Sequence, residues 1–348
     1  MLTESTDYVI GVDTHAERHA FCLVEARSGR VLDACELPAS RRGYRAALRF
    51  ARRGGRGRRV WALEGSGCYG VGLTRLLERT GERVVEVERP KRRGRDGRCK
   101  SDLLDAERAA RAVLADQKLA EPRAGGEREA LRLLLAVREQ EVAVCRAGLN
   151  ELRALLVTAP DELRERLQGL SRGALVGACA RLRRRPGSEP ALAACVLALT
   201  TCAGRVAEAR ARAAELEREI TRLVRALCPQ LLAERGVGPI SAGYLLVAWS
   251  HKRRLRSEAA FARLAGVAPI PASTGKTIRH RLDRGGDRKL NRALHTILLS
   301  RRRTDPDTIA YIERRLSEGK TQRDAIRCLK RYLARSLYRL LERTATTA

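Results

Sequence analysis

The sequence is poor in aromatic side chains. Its 348 residues include three Phe, two Trp and seven Tyr, which together make up 3% of the chain. A core must therefore be built mainly from Leu, Val and Ala. Because 44% of the residues are hydrophobic, global disorder is excluded, and the length allows two or three domains.

The ten cysteines include no Cys-x-x-Cys pair and no Cys/His cluster, which argues against zinc and against a disulfide framework. Cys22, Cys145, Cys195 and Cys228 lie in apolar periodic segments, where a thiol acts as a small hydrophobe. The sequence has neither a charged-then-apolar leader nor an uninterrupted apolar run long enough to span a bilayer. We therefore expect a cytoplasmic protein that does not use a membrane.

Acidic residues are scarce relative to basic ones. The chain has 70 Lys and Arg against 41 Asp and Glu, a formal net charge of +29, and eight of the 70 are Lys, which leaves 62 Arg. GC-rich codon usage explains Arg in place of Lys, but it does not explain the excess over acids. That excess predicts a polyanionic partner, and Arg matches phosphates and guanine edges, so nucleic acid is expected.

The first hundred residues predict a mixed sheet with helices on its faces. Residues 7–13 (DYVIGVD) form a predicted strand, and residues 19–26 (HAFCLVEA) form its hairpin partner. The other predicted elements are a strand at 30–37, a helix at 41–52, a strand at 58–65, a helix at 69–81, a strand at 82–90 and a helix at 102–115.

From about Glu127 the pattern becomes helical. Two segments follow the alternating three-and-four spacing of a coiled-coil seam, which packs against another helix. The first, broken once by Arg138, is Leu131, Leu135, Val142, Cys145, Leu149, Leu152 and Leu156; the second is Val206, Ala209, Ala213, Leu216, Ile220, Leu223 and Leu227. They could pair with each other as a hairpin or with another protomer. Residues 158–204 give no clear organisation.

A tight Gly-Val-Gly-Pro turn follows at residues 236–239, between two predicted helices. This pattern is typical of a helix-hairpin-helix unit, in which the amides of Gly236 and Gly238 would hold a DNA phosphate. A plain packing turn explains the pattern equally well.

Four acids are placed where a catalytic metal could bind. Asp13 and Glu64 end two predicted strands, and Asp102 and Asp105 lie three residues apart on one face of a helix. If they converge, their hard oxygens suit Mg²⁺ or Mn²⁺, and two such ions about 4 Å apart can activate a nucleophile and stabilise a leaving oxygen.

Each acid also has a purely structural explanation. The helical pair could oppose the helix dipole with Ser101 as the cap, and each strand-end acid could cap a turn. Their combination in so basic a chain favours a site, because free carboxylates would otherwise oppose a polyanion. We interpret His15 and His19 as surface or packing residues rather than metal ligands.

A strongly basic segment adds further candidate residues. Seven of the twelve residues of 89–100 (RPKRRGRDGRCK) are basic, and this segment directly precedes the acidic helix. It therefore predicts a phosphate-binding loop, although a solvated charge run is the alternative. Its candidate nucleic-acid contacts are Arg92, Arg93, Arg95, Arg98 and Lys100.

Several segments occur in order along the chain: IGVDTH, LEGSG, KSDLLDAERAA, then after a helical region RGVGPISA and FARLAGVAPIPASTGKTIRHRLDRGGDRKLNRALH. Together they resemble the DEDD-type insertion-sequence transposases, the family numbered one-hundred-and-ten, which also includes pilin-gene DNA invertases. The resemblance covers almost the whole chain. It implies a RuvC-like, ribonuclease-H-type α/β domain (1–120), a helical coiled-coil region (121–230) and a mainly α transposase domain with a helix-hairpin-helix and a serine loop (231–348).

By motif match, the family's Mg²⁺- or Mn²⁺-binding quartet would be Asp13, Glu64, Asp102 and Asp105. Its nucleophilic serine maps to Ser273, with Thr274 as the alternative register, because many relatives have Ser-Ser or Ser-Gly here. Gly275 would let the backbone approach a phosphate. The cations expected to neutralise the DNA backbone or the developing charge on phosphorus are Lys276, Arg279, Arg281, Arg284 and Arg288.

The resemblance also implies the partners. Family members recombine donor and target duplex DNA through a phosphoserine linkage, guided by a structured noncoding bridge RNA, and they act as dimers of dimers in the bacterial cytoplasm, near the nucleoid. The acids of one protomer would meet the serine of another, since no base lies close to Ser273 in sequence except His280. The alternatives are a junction-resolving nuclease that uses water, a site-specific invertase, and a non-catalytic nucleic-acid-binding protein.

Overall fold

A computed structural model of the chain describes residues 6–54, 57–87, 101–115, 121–123, 125–272, 280–281, 283 and 285–344. The chain folds into two compact units, Met1–Arg123 and Ala124–Ala348. The further division predicted at residue 230 stays a prediction.

The first unit contains a five-stranded mixed sheet in the order β3-β2-β1-β4-β5. Its antiparallel and parallel strand pairs confirm the mixed sheet predicted from the sequence. The strands are β1 (Tyr8–Thr14), β2 (Arg18–Glu25), β3 (Val31–Pro38), β4 (Arg59–Glu64) and β5 (Arg83–Val87), and the helices are α1 (Arg41–Ala51), α2 (Val71–Arg79) and α3 (Asp102–Ala115).

Alternation along the strands gives each face of the sheet its own core. On one face, Ile10, Trp61 and Leu63 pack with residues of α1 and α2. On the other face, Val9 and Ala62 pack with residues of α3. Odd-numbered residues of β1 and even-numbered residues of β4 therefore face α3.

Helix α3 lies unusually close to β1, because β1 has no side chain at the crossing point. A Cβ atom built on Gly11 would lie 1.9 Å from the carbonyl oxygen of Ala106 and 2.7 Å from the amide nitrogen of Ala110. The buried face of α3 is likewise made of small residues, including Ala106, Ala109 and Ala110. Glycine at position 11 is therefore required for this packing.

The second unit begins with two long helices, α4 (Gly126–Val157) and α7 (Pro190–Leu227). The start of α4 shares a core with the end of α7, and the end of α4 shares a second core with the first half of α7. The two helices are thus antiparallel, and the predicted seams pair with each other within one chain. The predicted break, Arg138, donates to Glu217 across this contact at 2.7 Å. The coiled-coil character of the pair stays a prediction.

Residues 158–204, which the sequence left unassigned, contain α5 (Asp161–Leu167), α6 (Arg172–Ala180) and the first part of α7. The buried residues of these short helices join the core between the end of α4 and the first half of α7. Helix α7 is long and apolar enough to cross a membrane, a property that core helices of soluble proteins share. Its apolar residues include Val196 and Leu199, which are buried in that core, and Leu197, which is 49% exposed; 28% of its most apolar stretch is buried.

The rest of the second unit is helical around a single core. Its helices are α8 (Gln230–Ala233), α9 (Pro239–Trp249), α10 (Glu258–Leu264), α11 (Arg288–Thr304), α12 (Pro306–Ser317) and α13 (Gln322–Thr344), with a short strand pair β6 (Ile270–Pro271) and β7 (His280–Arg281). Leu131 of α4 and Ile220 of α7 share the core of Leu245, Leu294 and Leu337. The core therefore continues across residue 230.

All the cysteines of the described residues are free thiols. Cys22 and Cys228 are buried, and burial raises the pKa of Cys22 to about 11. These thiols act as small apolar groups, as their apolar periodic positions suggested.

Replacing Gly11 with alanine is expected to destabilise the first unit. The new Cβ meets backbone atoms of α3, which cannot rotate away, and overpacking of this kind costs about 1–3 kcal/mol or more. Thermal unfolding followed by circular dichroism measures the loss. The matched control is Gly204→Ala in α7, where an added Cβ meets nothing within 4 Å and helix propensity favours alanine by up to about 1 kcal/mol. Equal stability of Gly11→Ala and the wild type would contradict the close crossing.

Candidate active site

Two of the predicted acids end neighbouring parallel strands. Val12 of β1 is in register with Leu63 of β4, so the next residues, Asp13 and Glu64, lie side by side at the ends of their strands. The alternation of the two strands places both residues on the face that α3 covers. The Thr14 hydroxyl donates to the backbone carbonyl of Glu64 at 2.8 Å and ties these strand ends together.

The crossing at Gly11 brings the third acid to the same place. Ala106 lies directly over Gly11, and Asp102 precedes Ala106 by about one helical turn. Asp13 follows Gly11 by two residues on the same face of β1. The contact that requires glycine therefore sets Asp102 above Asp13.

His15 lies between these two carboxylates. Its Nε2 atom is 3.1 Å from Asp13 Oδ2 and 3.4 Å from Asp102 Oδ2. One donor atom from each of the three side chains lies within 4.8 Å of the other two. The Asp13 side chain is 12% exposed, whereas those of His15 and Asp102 are 45% and 43% exposed, so the cluster is open to solvent from the α3 and His15 side.

His19 supports the turn that carries His15. The backbone amide of His15 donates to Nδ1 of His19 at 3.2 Å. The His19 ring is fully buried and stacks on Tyr44 with 5.7 Å between ring centroids. Burial lowers the pKa of His19, which favours the neutral imidazole that can accept this hydrogen bond.

The other two predicted acids lie beside the cluster. Asp105 is one turn along α3 from Asp102, and its carboxylate accepts from Arg108 at 2.7 Å. Glu64 ends the strand next to Asp13 and is partly buried. The structure thus brings Asp13 and Asp102 together with His15, while Asp105 lies one turn along α3 and Glu64 lies at the end of the neighbouring strand β4.

His15, which the sequence suggests is a surface or packing residue, lies between two carboxylates in the structure. The signal that could have found it is the period-two alternation of β1, because residue 15 follows Asp13 by two and returns to the same face. The strand ends at Thr14, so that alternation extends just beyond the strand.

The three clustered side chains fit a divalent metal ion. Two carboxylates are ligands that Mg²⁺ and Mn²⁺ prefer, and the imidazole is a ligand that transition metals accept more readily than magnesium does. The donor set therefore points to a divalent ion without deciding which one binds.

Most of the predicted cations and the predicted nucleophile lie outside the described residues: Arg92, Arg93, Arg95, Arg98, Lys100, Ser273, Thr274, Gly275, Lys276, Arg279 and Arg284. Arg281 of β7 and Arg288 of α11 are described. Both line a cavity of about 1080 Å³ within the second unit.

The Gly-Val-Gly-Pro turn packs against α11. Gly236 has φ +77°, and a Cβ there would lie 3.0 Å from the carbonyl oxygen of Ile297. Gly238 is exposed and precedes α9 as its N-cap. Packing against α11 is enough to explain glycine at position 236. Helix α8, which precedes the turn, is only four residues long. The helix-hairpin-helix and its phosphate contact therefore stay predictions.

Two regions of the chain match models of known protein families. Residues 10–159 match a family model described as "Transposase", that of the IS110-type DEDD transposases. Residues 228–313 match the model "Transposase IS116/IS110/IS902 family". The first match contains all four predicted acids, and the second contains the Gly-Val-Gly-Pro turn and the predicted serine.

A curated relative gives the same family. Over 129 residues the chain is 33% identical to the "Insertion element IS110 uncharacterized 43.6 kDa protein" of Streptomyces coelicolor (strain ATCC BAA-471 / A3(2) / M145). This match covers 36% of the chain and 32% of the relative, so the chain spans about a third of the length of that protein.

The mixed sheet with helices fits the ribonuclease-H-like fold expected of a DEDD domain, and the mainly helical second unit fits the C-terminal region. With an acidic cluster at the strand ends and both family regions in order, the chain belongs to the IS110 family of DEDD transposases.

Proposed function

We propose that the protein cuts and rejoins DNA strands of a mobile element, and that Asp13, Glu64, Asp102 and Asp105 hold the divalent metal, Mg²⁺ or Mn²⁺, that this reaction uses. The observation that carries the proposal is the cluster of Asp13, His15 and Asp102, whose donor atoms lie within 4.8 Å of one another. In a chain of net charge +29, carboxylates gathered at an open strand edge oppose a polyanion unless a cation lies between them.

When bound, the metal would stabilise charge on the reacting phosphate and promote deprotonation of the nucleophile. The protein side chains hold the site in shape. The nearly buried Asp13 is fixed by its strand and by His15, while the more exposed Asp102 closes the site from α3. His15 positions the two carboxylates and offers a further donor.

We propose that the nucleophile is Ser273, with Thr274 as the alternative register. The serine oxygen would form an ester bond to phosphorus as one P–O bond of the DNA strand breaks, and its proton would pass to a base. The freed strand end leaves with a hydroxyl group. In the rejoining step, a strand hydroxyl attacks the phosphoserine and releases the serine.

We propose that another protomer supplies that base, because the sequence shows no base near Ser273 except His280. The acids of one protomer would serve the serine of another in a dimer of dimers. Arg281 and Arg288 line the cavity near this segment, which supports their proposed contacts with phosphate.

The proposed partners are donor and target duplex DNA and a structured noncoding guide RNA, with the reaction taking place in the cytoplasm near the nucleoid. The large excess of arginine supports nucleic-acid partners. A junction-resolving nuclease that uses water would rely on the same acids, and an invertase would use the same chemistry on a different arrangement of sites. The experiments below separate water from serine as the nucleophile.

Replacing Asp102 with asparagine is expected to abolish strand cleavage and leave nucleic-acid binding intact. Metal stabilisation supplies several kcal/mol, so cleavage should fall by at least about 100-fold. Gel analysis of end-labelled DNA measures cleavage, and filter binding measures affinity. The matched control is Glu107→Gln on the same helix, whose carboxylate pairs with Arg111 away from the cluster. Wild-type cleavage by Asp102→Asn would refute the proposed metal site.

A covalent-adduct assay tests the serine. The protein is incubated with Mg²⁺, with labelled donor and target DNA, and with the structured noncoding RNA encoded beside its gene. The mixture is then denatured, and the protein band is examined for attached DNA. We expect an adduct that disappears in Ser273→Ala and persists in Thr274→Ala. The reverse pattern would shift the register to Thr274. Cleavage without an adduct, unchanged in both variants, would instead establish a water-using nuclease.

A further inference from the structure

The cavity of the second unit has a wall that the proposed function leaves unexplained. It is about 1080 Å³ in volume and lies between the turn after α10, the first half of α11, β7 and the first half of α13. None of the α13 residues is among the predicted nucleic-acid contacts. We name this space the α11/α13 cavity.

The α11/α13 cavity carries a strong excess of positive charge. Its lining includes two carboxylates, Asp283 and Asp324, and the latter already pairs with Arg327 at 3.2 Å. Against them stand seven cations: Arg281, Arg288, Arg323, Arg327, Lys330, Arg331 and Arg335. An anionic ligand would balance this excess.

The arginines of α13 recur every four residues, at 323, 327, 331, 335, 339 and 343. Such a spacing repeats about every 6 Å along a helix and keeps successive side chains on neighbouring positions of one face. Arg335 and Arg339 share one carboxylate, that of Glu258, at 2.7 and 2.9 Å. Arg331 lies 3.9 Å from the same carboxylate, so one acid serves three members of the row.

Two residues that line the α11/α13 cavity each have a buried polar atom without a partner. Nη1 of Arg331 and Nδ1 of His295 are buried and have no hydrogen-bond partner within the part of the chain that the structure describes. The neighbouring Lys330 is held by a relay, since its Nζ donates to Asn291 Oδ1 at 2.9 Å and Asn291 Nδ2 donates to the carbonyl of Ala265 at 2.7 Å. An unpaired buried polar atom is costly.

Burial and neighbouring positive charge both act on two residues of this cavity. Burial, with the charge of Arg327, lowers the pKa of Lys330. Burial, with the charges of Lys330 and Arg302, lowers the pKa of His295. A phosphate placed among these groups would offset the repulsion between their positive charges.

Size and an aromatic group narrow the class of ligand. The volume matches the upper end of small-molecule pockets, about 1,000 Å³, which accommodates a few nucleotides of a single strand but not a duplex. Tyr332 lies on the lining with 52% of its surface exposed and is steadied edge-on by Tyr311 at 6.1 Å. Cationic grooves with exposed aromatic rings are the usual means of holding unpaired strands.

We propose that the α11/α13 cavity binds an unpaired DNA strand, with Lys330 and Arg331 on its phosphates and Tyr332 stacked on a base. This inference rests on the proposed function for its choice of DNA over RNA. Pro269 and His280 on the lining flank in sequence the segment that contains the predicted nucleophile, which supports assigning the bound strand as the one that is cut or rejoined.

Fluorescence anisotropy with the full chain tests the proposal. The probes are a labelled single-stranded DNA oligonucleotide, the same sequence as duplex DNA, and the same sequence as single-stranded RNA. Measurements in EDTA on a Ser273→Ala background keep cleavage out of the readout. The variants are Lys330→Gln, Arg331→Gln and Tyr332→Ala. The control is Arg343→Gln, which removes one positive charge from the same row of α13 arginines but does not line the α11/α13 cavity.

The expected result is specific to the single DNA strand. Lys330→Gln and Arg331→Gln should each lower the slope of log affinity against log salt by about 0.7, and Tyr332→Ala should weaken binding about tenfold. Duplex binding and the Arg343→Gln variant should be unchanged. Because Tyr332 is exposed, its variant is expected to fold even if the half-buried Arg331→Gln does not.

Two results would overturn the proposal. Equal losses for duplex DNA or for Arg343→Gln would show that only general positive charge is measured. Losses for RNA with single-stranded DNA unchanged would assign the cavity to RNA. Neither result bears on adduct formation at Ser273. Conversely, an adduct that persists in Ser273→Ala would rule out the proposed nucleophile but would not bear on strand binding by the α11/α13 cavity.

Discussion

The first unit depends on one backbone contact, the crossing of α3 over β1 at Gly11. Without a side chain at that position, the backbone of Ala106 comes against the strand, and the start of α3 extends over the strand end. Asp102 then reaches Asp13 and His15. A residue any larger than glycine would lift α3 and separate the carboxylates. Packing and chemistry in this unit are therefore set by the same residue, which carries no functional group of its own.

Much of the first unit could be read from the sequence because its signals are local. Apolar alternation predicted the strands, and their ends predicted the positions of Asp13 and Glu64. What could not be read is proximity across elements. Nothing local shows that Gly11 admits a helix backbone, so the residues alone made the meeting of Asp102 with Asp13 a hypothesis, which the family resemblance strengthened. The alternation of β1 places His15 on the face of Asp13, but its contact with Asp102 depends on a helix nearly ninety residues away.

In the second unit, helical periodicity predicted the seams but not their partner. The structure pairs α4 with α7 in one chain, and Arg138, which interrupts the apolar pattern, contacts Glu217 on the opposing helix. The same seam residues could equally have paired between protomers, since periodicity fixes a face and not what covers it. The net charge of +29 was likewise visible from the start. Its placement was not, because the sequence does not show that seven cations and only two carboxylates line the α11/α13 cavity.

The central claim is that β1 and α3 together form a divalent-metal site. Anomalous diffraction from crystals of the full chain grown with Mn²⁺ tests it most directly. The account predicts a manganese peak within coordination distance of the Asp13 and Asp102 carboxylates, lost in crystals of an Asp13→Asn variant. Manganese bound elsewhere on the protein, with none at these two carboxylates, would contradict it.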